Sequence, residues 1–339
     1  MSKMPFIIAE MSGNHNQSLE RALAIVDAAA ETGVDALKIQ TYTAETMTLD
    51  LNEREFRIND PKSLWYGRSL YDLYQEAYTP WEWHEPIFKR CREKGIIGFS
   101  TPFDSTSVDF LESLEMPVYK IASFENVDLP LLEKVARTGK PIIMSTGMAS
   151  VAELSEAVEA VRKAGCSEMT LLKCTSSYPA SPEDSNLRTI PHMKELFQCE
   201  VGLSDHTLGL GAAVASIALG ATVIEKHFTL SRAEGGVDAA FSLEPHEMKQ
   251  LVNECRRAFQ ALGTVSYQRT KAEEKSLQFR RSLYVVEDVQ AGDTVTEKNV
   301  RAIRPGLGLE PKYLDVVRGA RFRQPVSKGT ALHWKYLLG

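Results

Sequence analysis

A chain of 339 residues with 43% hydrophobic content holds enough apolar side chain for a large core, which excludes a disordered tail protein and points to one big domain with a smaller companion. Its formal net charge of −6 gives no basis for wholesale attachment to nucleic acid or to an anionic membrane, so an anionic ligand must be met by a local group of cations. Cys91, Cys166, Cys174, Cys199 and Cys255 are odd in number, far apart and without a C-x-x-C pair, which argues against a disulfide framework and a zinc ribbon and reads as reduced thiols of a cytoplasmic protein.

The first apolar run, FIIAE, breaks at once on Glu10 and the Asn14-His15-Asn16 segment, which is not the pattern of a signal peptide. It opens a series of short runs rich in β-branched residues: FIIAEM, ALKIQTY, IIGFSTPF, VYKIAS, PIIMST, MTLLKCTSS, EVGLSDH and TVIEKHF. Runs apolar on both faces, alternating with helical patterns, are the signature of parallel strands covered by helices. Eight of them predict a (β/α)8 barrel. After the first, SLERALAIVDAAAETG carries Leu19, Leu23 and Val26 at helical spacing and stops at Gly33; VAELSEAVEAVRKAG repeats the pattern and closes on Gly165.

Between the second and third runs lies a long insertion containing LWYGRSLYDLYQEAYTPWEWH. An insertion after a barrel strand falls on the face where chemistry happens, so this segment is expected to wall or lid a site, with Trp65, Tyr71, Tyr74 and Trp81 packing a helix. The uncharged stretch 208–224 is too short and too punctuated by glycine to span a membrane; it reads as a buried helix followed by a buried strand. Past residue 262 the texture changes. A charged stretch, QRTKAEEKSLQFRR, leads into short strands and Gly-containing turns, giving a barrel over 1–262, a linker over 263–281 and a small β-rich domain over 282–339. VQAGDTVTEKNV and VSKGTALHWKYL, starting at Val289 and Val326, align there as a faint internal repeat.

Polar residues gather where the strands end. Glu10 closes the first, Lys38 and Gln40 the second, Ser100 and Thr101 the third, and Lys120, Ser123 and Glu125 the fourth. Ser145 and Thr146 close the fifth, Lys173, Thr175 and Ser176 the sixth, Ser204, Asp205 and His206 the seventh, Glu225, Lys226 and His227 the eighth. In a barrel these ends converge on one face. Lys38 and Lys120 with the hydroxyls of Thr101, Ser123, Ser145, Ser176 and Ser204 make a donor pocket suited to a phosphate and a carboxylate. His206 and His227, on adjacent strands, are placed to share a divalent metal, and two imidazoles alone favour a labile Mn2+ over structural zinc. Glu10 and Glu125 are then available as proton carriers. Gly209 and Gly211 lack the third glycine of a dinucleotide loop and no Walker sequence occurs, so no nucleotide is assigned.

Taken together, IAEMSGNHN, LKIQTY, FSTPFD, YKIASFE, MSTGMAS, LKCTSSYP, VGLSDHT and VIEKHF resemble the sialic acid synthase family, and the likeness runs through RRSLY and IRPGLG to cover nearly the whole chain. LKIQTY, KIASFE and the aromatic insertion look most like its pseudaminic acid branch. The resemblance implies a (β/α)8 TIM barrel followed by a small antifreeze-like (SAF) domain, in a domain-swapped homodimer. It implies condensation of phosphoenolpyruvate with an N-acetylated amino sugar and release of phosphate, assisted by a divalent metal, Mn2+ with Mg2+ or Co2+ as alternatives. By that resemblance His206 and His227 are the metal ligands, and Lys38, Thr101, Lys120, Ser123, Ser145, Ser176 and Ser204 form the phosphoenolpyruvate site. Ser176 stands where sialic acid synthases carry Asn in CTN. The family carboxylates correspond to Glu10, Glu125 and Asp238, the last in GGVDAAFS where sialic acid synthases have GPDH. Arg304 of IRPGLG matches an arginine that reaches across the dimer to the sugar's acyl group, and Gln40, Tyr42 and Tyr178 are further sugar contacts. The rival readings are the same chemistry on an N-acetylneuraminate or legionaminic acid precursor, a barrel that makes an aldulosonic acid phosphate, and a sugar-binding protein without catalysis.

Overall fold

The computed structural model describes residues 4–338. The chain divides into two compact units, one up to Gly263 and one from Thr264. In the first, β1 (Phe6–Glu10), β2 (Ala36–Thr41), β3 (Ile97–Pro102), β4 (Tyr119–Ile121), β5 (Ile142–Ser145), β6 (Met169–Cys174), β7 (Glu200–Asp205) and β8 (Val223–His227) form a closed barrel in sequence order. All ladders are parallel, and β8 returns to β1 with Phe6 opposite Val223 and Glu10 opposite His227. The predicted barrel is therefore the observed one.

Helices cover the strands because each carries one apolar stripe and a defined start and stop. The helix Leu19–Thr32 starts on Ser18, whose hydroxyl accepts from the Arg21 amide, and ends on Gly33 at φ 84°, a left-handed turn that glycine takes without strain. Its buried Ala22, Ile25, Val26 and Ala29 face the strands. Val151–Lys163 is held by a capping box between Ser150 and Glu153 and buries Leu154, Ala157, Val158 and Val161. The stretch beginning at Leu208 resolves into a helix, Gly211–Ala218, and then β8.

Between β2 and β3 the chain forms a one-turn helix, Ala44–Met47, a two-turn helix, Leu70–Ala77, and the helix His84–Lys94, joined by turns. Tyr74 packs edge-on against Tyr42 and Trp81 stacks on Phe110 at 4.5 Å. Trp65 differs from the expectation: it lies in a turn ahead of the two-turn helix, and its indole N–H donates to the carbonyl of Val237, 3.0 Å away in the loop after β8. Gly67 at φ 83° turns the chain just before the helix.

In the second unit β9 (Ser282–Val285) pairs antiparallel with β10 (Val300–Ile303) beside a core of Leu283, Val285, Val295, Val317, Phe322 and Leu332. The faint repeat is physical. Val289 and Val326 exchange two backbone hydrogen bonds of 3.0 Å with each other, and Gly292 and Gly329 turn at φ 90° and 86°. Among the described residues no helix is long and apolar enough to cross a membrane.

Candidate active site

The period of two along each strand sorts the polar strand ends into two sets. Lys38, Thr101, Lys120, Ser145, Ser204 and Glu225 meet one another inside the barrel. Ser100, Thr146, Asp205 and Lys226 do not join them, which corrects the expectation that every polar end converges. Thr41 and Ser100 bond each other at 2.6 Å, with His84 Nε2 2.8 Å from Thr41, and Thr146 donates to the Leu172 carbonyl. Asp205 and Lys226 pair with each other at 2.7 Å.

At the centre of the interior set Lys38 Nζ lies 2.7 Å from Glu10 and 3.8 Å from Glu225, and donates to Thr101 Oγ1 at 3.1 Å. Lys120 Nζ donates to Ser145 Oγ at 2.7 Å and lies 3.8 Å from the other oxygen of Glu225. Ser204 donates to Glu225, and Gln40 Nε2 donates to Glu10 at 3.0 Å. The Lys38, Lys120, Glu10 and Glu225 side chains are at most 7% exposed, so each charge is held by its neighbours rather than by water. Burial raises the Glu10 carboxyl, Lys38 opposes it, and Glu225 adds to the rise. Glu225 goes the other way, because Lys120 and Lys38 together override its burial. Lys38 stays firmly cationic, since Glu10 and Glu225 outweigh the desolvation that burial imposes, whereas burial and Lys38 lower Lys120 against the pull of Glu225. Two acids and two bases thus share one site with their titrations pushed apart.

Next to Lys120, the turn Ser123–Glu125 follows β4. Ser123 Oγ accepts from the amide of Gly147 at 3.1 Å, and Asn126 donates to the carbonyls of Ser145 and Gly147. Gly147 leaves the space open: a Cβ there would stand 2.7 Å from Ser123 Oγ and closer still to Ser176 Oγ. Ser123, Ser145 and Ser176 therefore ring a cradle with no room for a side chain on the backbone between them. Burial raises the Glu125 carboxyl to about 7 against the pull of Lys120. One of its oxygens is buried without a hydrogen-bond partner.

On the other side the rings of His206 and His227 lie with centroids 5.4 Å apart. His206 Nδ1 is 2.9 Å from the Thr175 carbonyl, which fixes a proton on that nitrogen and leaves Nε2 as the ring atom available to a ligand; Cys174 Sγ is a longer neighbour at 3.9 Å. His227 is held neutral by burial and by the positive charge of His206, Lys38, Lys226 and Lys120. Its Nδ1 is buried without a hydrogen-bond partner, with Asp238 4.0 Å away. Two adjacent imidazoles, one of them with a ring nitrogen that is otherwise orphaned, fit a divalent cation of intermediate softness. Tyr178 lies 4.5 Å from the His206 ring and 6.4 Å from that of His227, with Phe241 and Trp65 beside it.

Asp238 is buried, accepts a hydrogen bond from Ser12, and is raised by that burial. Tyr42 is 2% exposed and sits between Tyr74 and Phe103, so its ring packs the wall. Arg304 is exposed and belongs to the second unit, preceding a cis bond to Pro305. The sequence reading leaves out Glu225, Asn126 and Gly147 as site residues. Asn126 and Gly147 directly follow or lie within KIASFE and MSTGMAS, and Glu225 precedes His227 by two, the spacing that puts both on one face of β8.

Two other features are excluded on structural grounds. Glu244, His246 and Glu247 form a partly exposed acidic group, but Glu244 and Glu247 already cap the helix Pro245–Leu262 and bind Arg232. A groove of about 1000 Å³ at the opposite end of the barrel is lined by strand starts such as Phe6, Ile142 and Met169, the end where barrels carry stability rather than chemistry.

Comparison with known proteins agrees with this geometry. Residues 25–267 match the NeuB family model and residues 280–338 match that of the SAF domain. A pseudaminic acid synthase of Helicobacter pylori is 43% identical over 98% of this chain and 97% of its own, and one of Campylobacter jejuni is 43% identical over 97% and 96%. The crystal structure of an N-acetylneuraminic acid synthetase from Leptospira borgpetersenii, in complex with citrate, superposes with a TM-score of 0.72 at 32% identity, covering 82% of this chain and 92% of that one. The barrel with its interior lysines, serines and histidines, followed by a SAF domain, belongs to a member of the NeuB family.

Proposed function

We propose that this protein is a pseudaminic acid synthase, condensing phosphoenolpyruvate with 2,4-diacetamido-2,4,6-trideoxy-L-altropyranose to give pseudaminic acid and phosphate. The observation that carries the reading is the meeting, in one barrel mouth, of a cationic and hydroxyl-lined cradle with a pair of adjacent imidazoles. Lys38, Thr101, Lys120, Ser123, Ser145, Ser176 and Ser204 supply donors for the phosphate and carboxylate of phosphoenolpyruvate, and the Gly147 backbone lets the anion approach. His206 and His227 would hold the divalent cation, Mn2+ with Mg2+ or Co2+ as substitutes, which supplies Lewis-acid polarisation of the sugar carbonyl.

In the reaction C3 of phosphoenolpyruvate forms a bond to the aldehyde carbon, water adds at C2, and the C2–O bond to phosphate breaks. Glu125, titrating near neutrality, takes the proton from the water; Glu10, raised by burial, is the second carrier. Lys38 and Lys120 stabilise the charge that leaves on phosphate. Gln40, which donates to Glu10, and Tyr178, beside the imidazoles, are positioned to orient the sugar, with Asp238 held between Ser12 and His227. A swapped homodimer would bring Arg304 of a second copy to the acyl group of the sugar. Five free thiols support a reducing, cytoplasmic setting.

The test is phosphate release from phosphoenolpyruvate and Mn2+ with N-acetylmannosamine and with the two diacetamido hexoses that lead to legionaminic and pseudaminic acids. Turnover is expected with the last. Release with none overturns the synthase reading, and a preference for either other sugar overturns the pseudaminic assignment in favour of that branch.

A further inference from the structure

The barrel contains a further buried ion pair, outside the reaction cradle, formed by the two residues that immediately precede the histidines. Asp205 and Lys226 face each other in register across β7 and β8, each immediately preceding one histidine, His206 or His227. Their side chains are 2% and 0% exposed and their charges meet at 2.7 Å. The pair also reaches past the first histidine: Lys226 Nζ donates to the Thr207 carbonyl at 2.6 Å, and the Thr207 amide donates to the other Asp205 oxygen at 2.9 Å. His206 is thus bracketed on both sides by one salt-bridged cluster whose other half is joined to His227. The His206 carbonyl is tied in turn to the Ala180 amide at 3.0 Å.

Two residues earlier, on the same face of the same strands, the corresponding facing pair is Leu203 with Ile224, both buried and apolar. On that face the polar pair stands immediately before the histidines, while the Ser204 and Glu225 pair between the two levels belongs to the interior set. A buried ion pair is a poor way to gain stability, because removing two charges from water offsets most of their attraction, and an apolar pair would pack the same layer. What it does provide is directional geometry: a fixed Nζ–Oδ distance and two backbone tethers.

We infer that Lys226 and Asp205 are positioning residues that hold the His206 and His227 rings at the spacing required to share a divalent cation. This rests on the reading of those histidines as its ligands. Groups that orient metal-binding imidazoles commonly set metal affinity, with losses of about ten- to a hundredfold when they are removed.

The test uses the full-length, metal-free protein and Mn2+ alone, with binding read by isothermal titration and by the electron paramagnetic resonance signal of free Mn2+. The double variant Asp205→Leu/Lys226→Met removes both charges and leaves neither one buried alone. It is expected to keep the wild-type circular dichroism spectrum while Mn2+ affinity falls about ten- to a hundredfold. The KM for phosphoenolpyruvate, set by the separate cradle, is expected to hold. A folded double variant that binds Mn2+ within about twofold of wild type would overturn the inference. Lys226→Arg gives a second reading if the double variant does not fold. Its planar fork keeps the charge but not the compact point geometry, so several-fold weaker Mn2+ binding is expected and unchanged binding overturns the inference. His227→Ala separates the two claims. Wild-type binding that survives His227→Ala overturns the ligand assignment on which the inference stands, whereas binding lost in His227→Ala but kept in the double variant overturns the positioning role alone.

Discussion

Glu125 carries the clearest consequence at the scale of a single residue. Its carboxyl is raised by burial from an ordinary 4.5 to about 7, so it favours the protonated form in the fold. Such a group contributes stability that is fully present below about pH 4.5 and lost as pH rises through about 7, at most about 3 kcal/mol. Glu125→Gln is therefore expected to match the wild type at pH 4.5 and to exceed it in urea midpoint at pH 8; a gap that does not change with pH would refute this. The same substitution is expected to remove the limb near pH 7 from the rate profile of phosphate release and to lower kcat by about a hundredfold or more, the usual contribution of a general base. Glu125, Lys38 and Lys120 are readable in the sequence because they stand at strand ends. Glu225 is equally visible there, but its place between two lysines is a tertiary fact: only closing the barrel brings β2, β4 and β8 together.

Among the elements, the strands are the most legible part of the molecule. A parallel strand buried on both faces must be apolar throughout, and its polar end then marks the exit from the core. What alternation decides, and what a list of strand ends cannot, is which polar groups share the interior. Thr41, Ser100 and His84 form a seam between β2, β3 and the helix His84–Lys94, with burial lowering His84 to about 4 so that it bonds as a neutral ring. The turn after β5 is tested by Gly147→Ala. Its methyl group would press on Ser123 and Ser176, an overpacking of about 1–3 kcal/mol, so the KM for phosphoenolpyruvate is expected to rise at least about tenfold and the melting temperature to fall by a few degrees. An unchanged KM would mean that the cradle is not the phosphate site. The insertion is harder to read, because aromatic density announces packing but not partners. Trp65 finds its partner in the Val237 carbonyl, more than a hundred residues away in the chain, and so joins the loop after β2 to the loop that carries Asp238.

For the whole molecule, the division into a barrel and a small β-rich unit shows in the sequence as a loss of helical period, because a small β-rich domain relies on turns and short pairings. In the swapped-dimer reading Arg304→Ala is expected to raise the KM for the sugar about tenfold or more, as loss of a charged contact does, while leaving the KM for phosphoenolpyruvate and the dimer's sedimentation unchanged. Unchanged sugar KM would count against that arrangement. The repeat in the small unit has an evolutionary corollary. Val289 and Val326 satisfy each other's main chain, so the two copies meet there as a reciprocal pair. A solenoid can be lengthened by duplicating a module, but at this position neither copy has a main-chain donor or acceptor left for a third, and a single copy would leave both of its own unpaired.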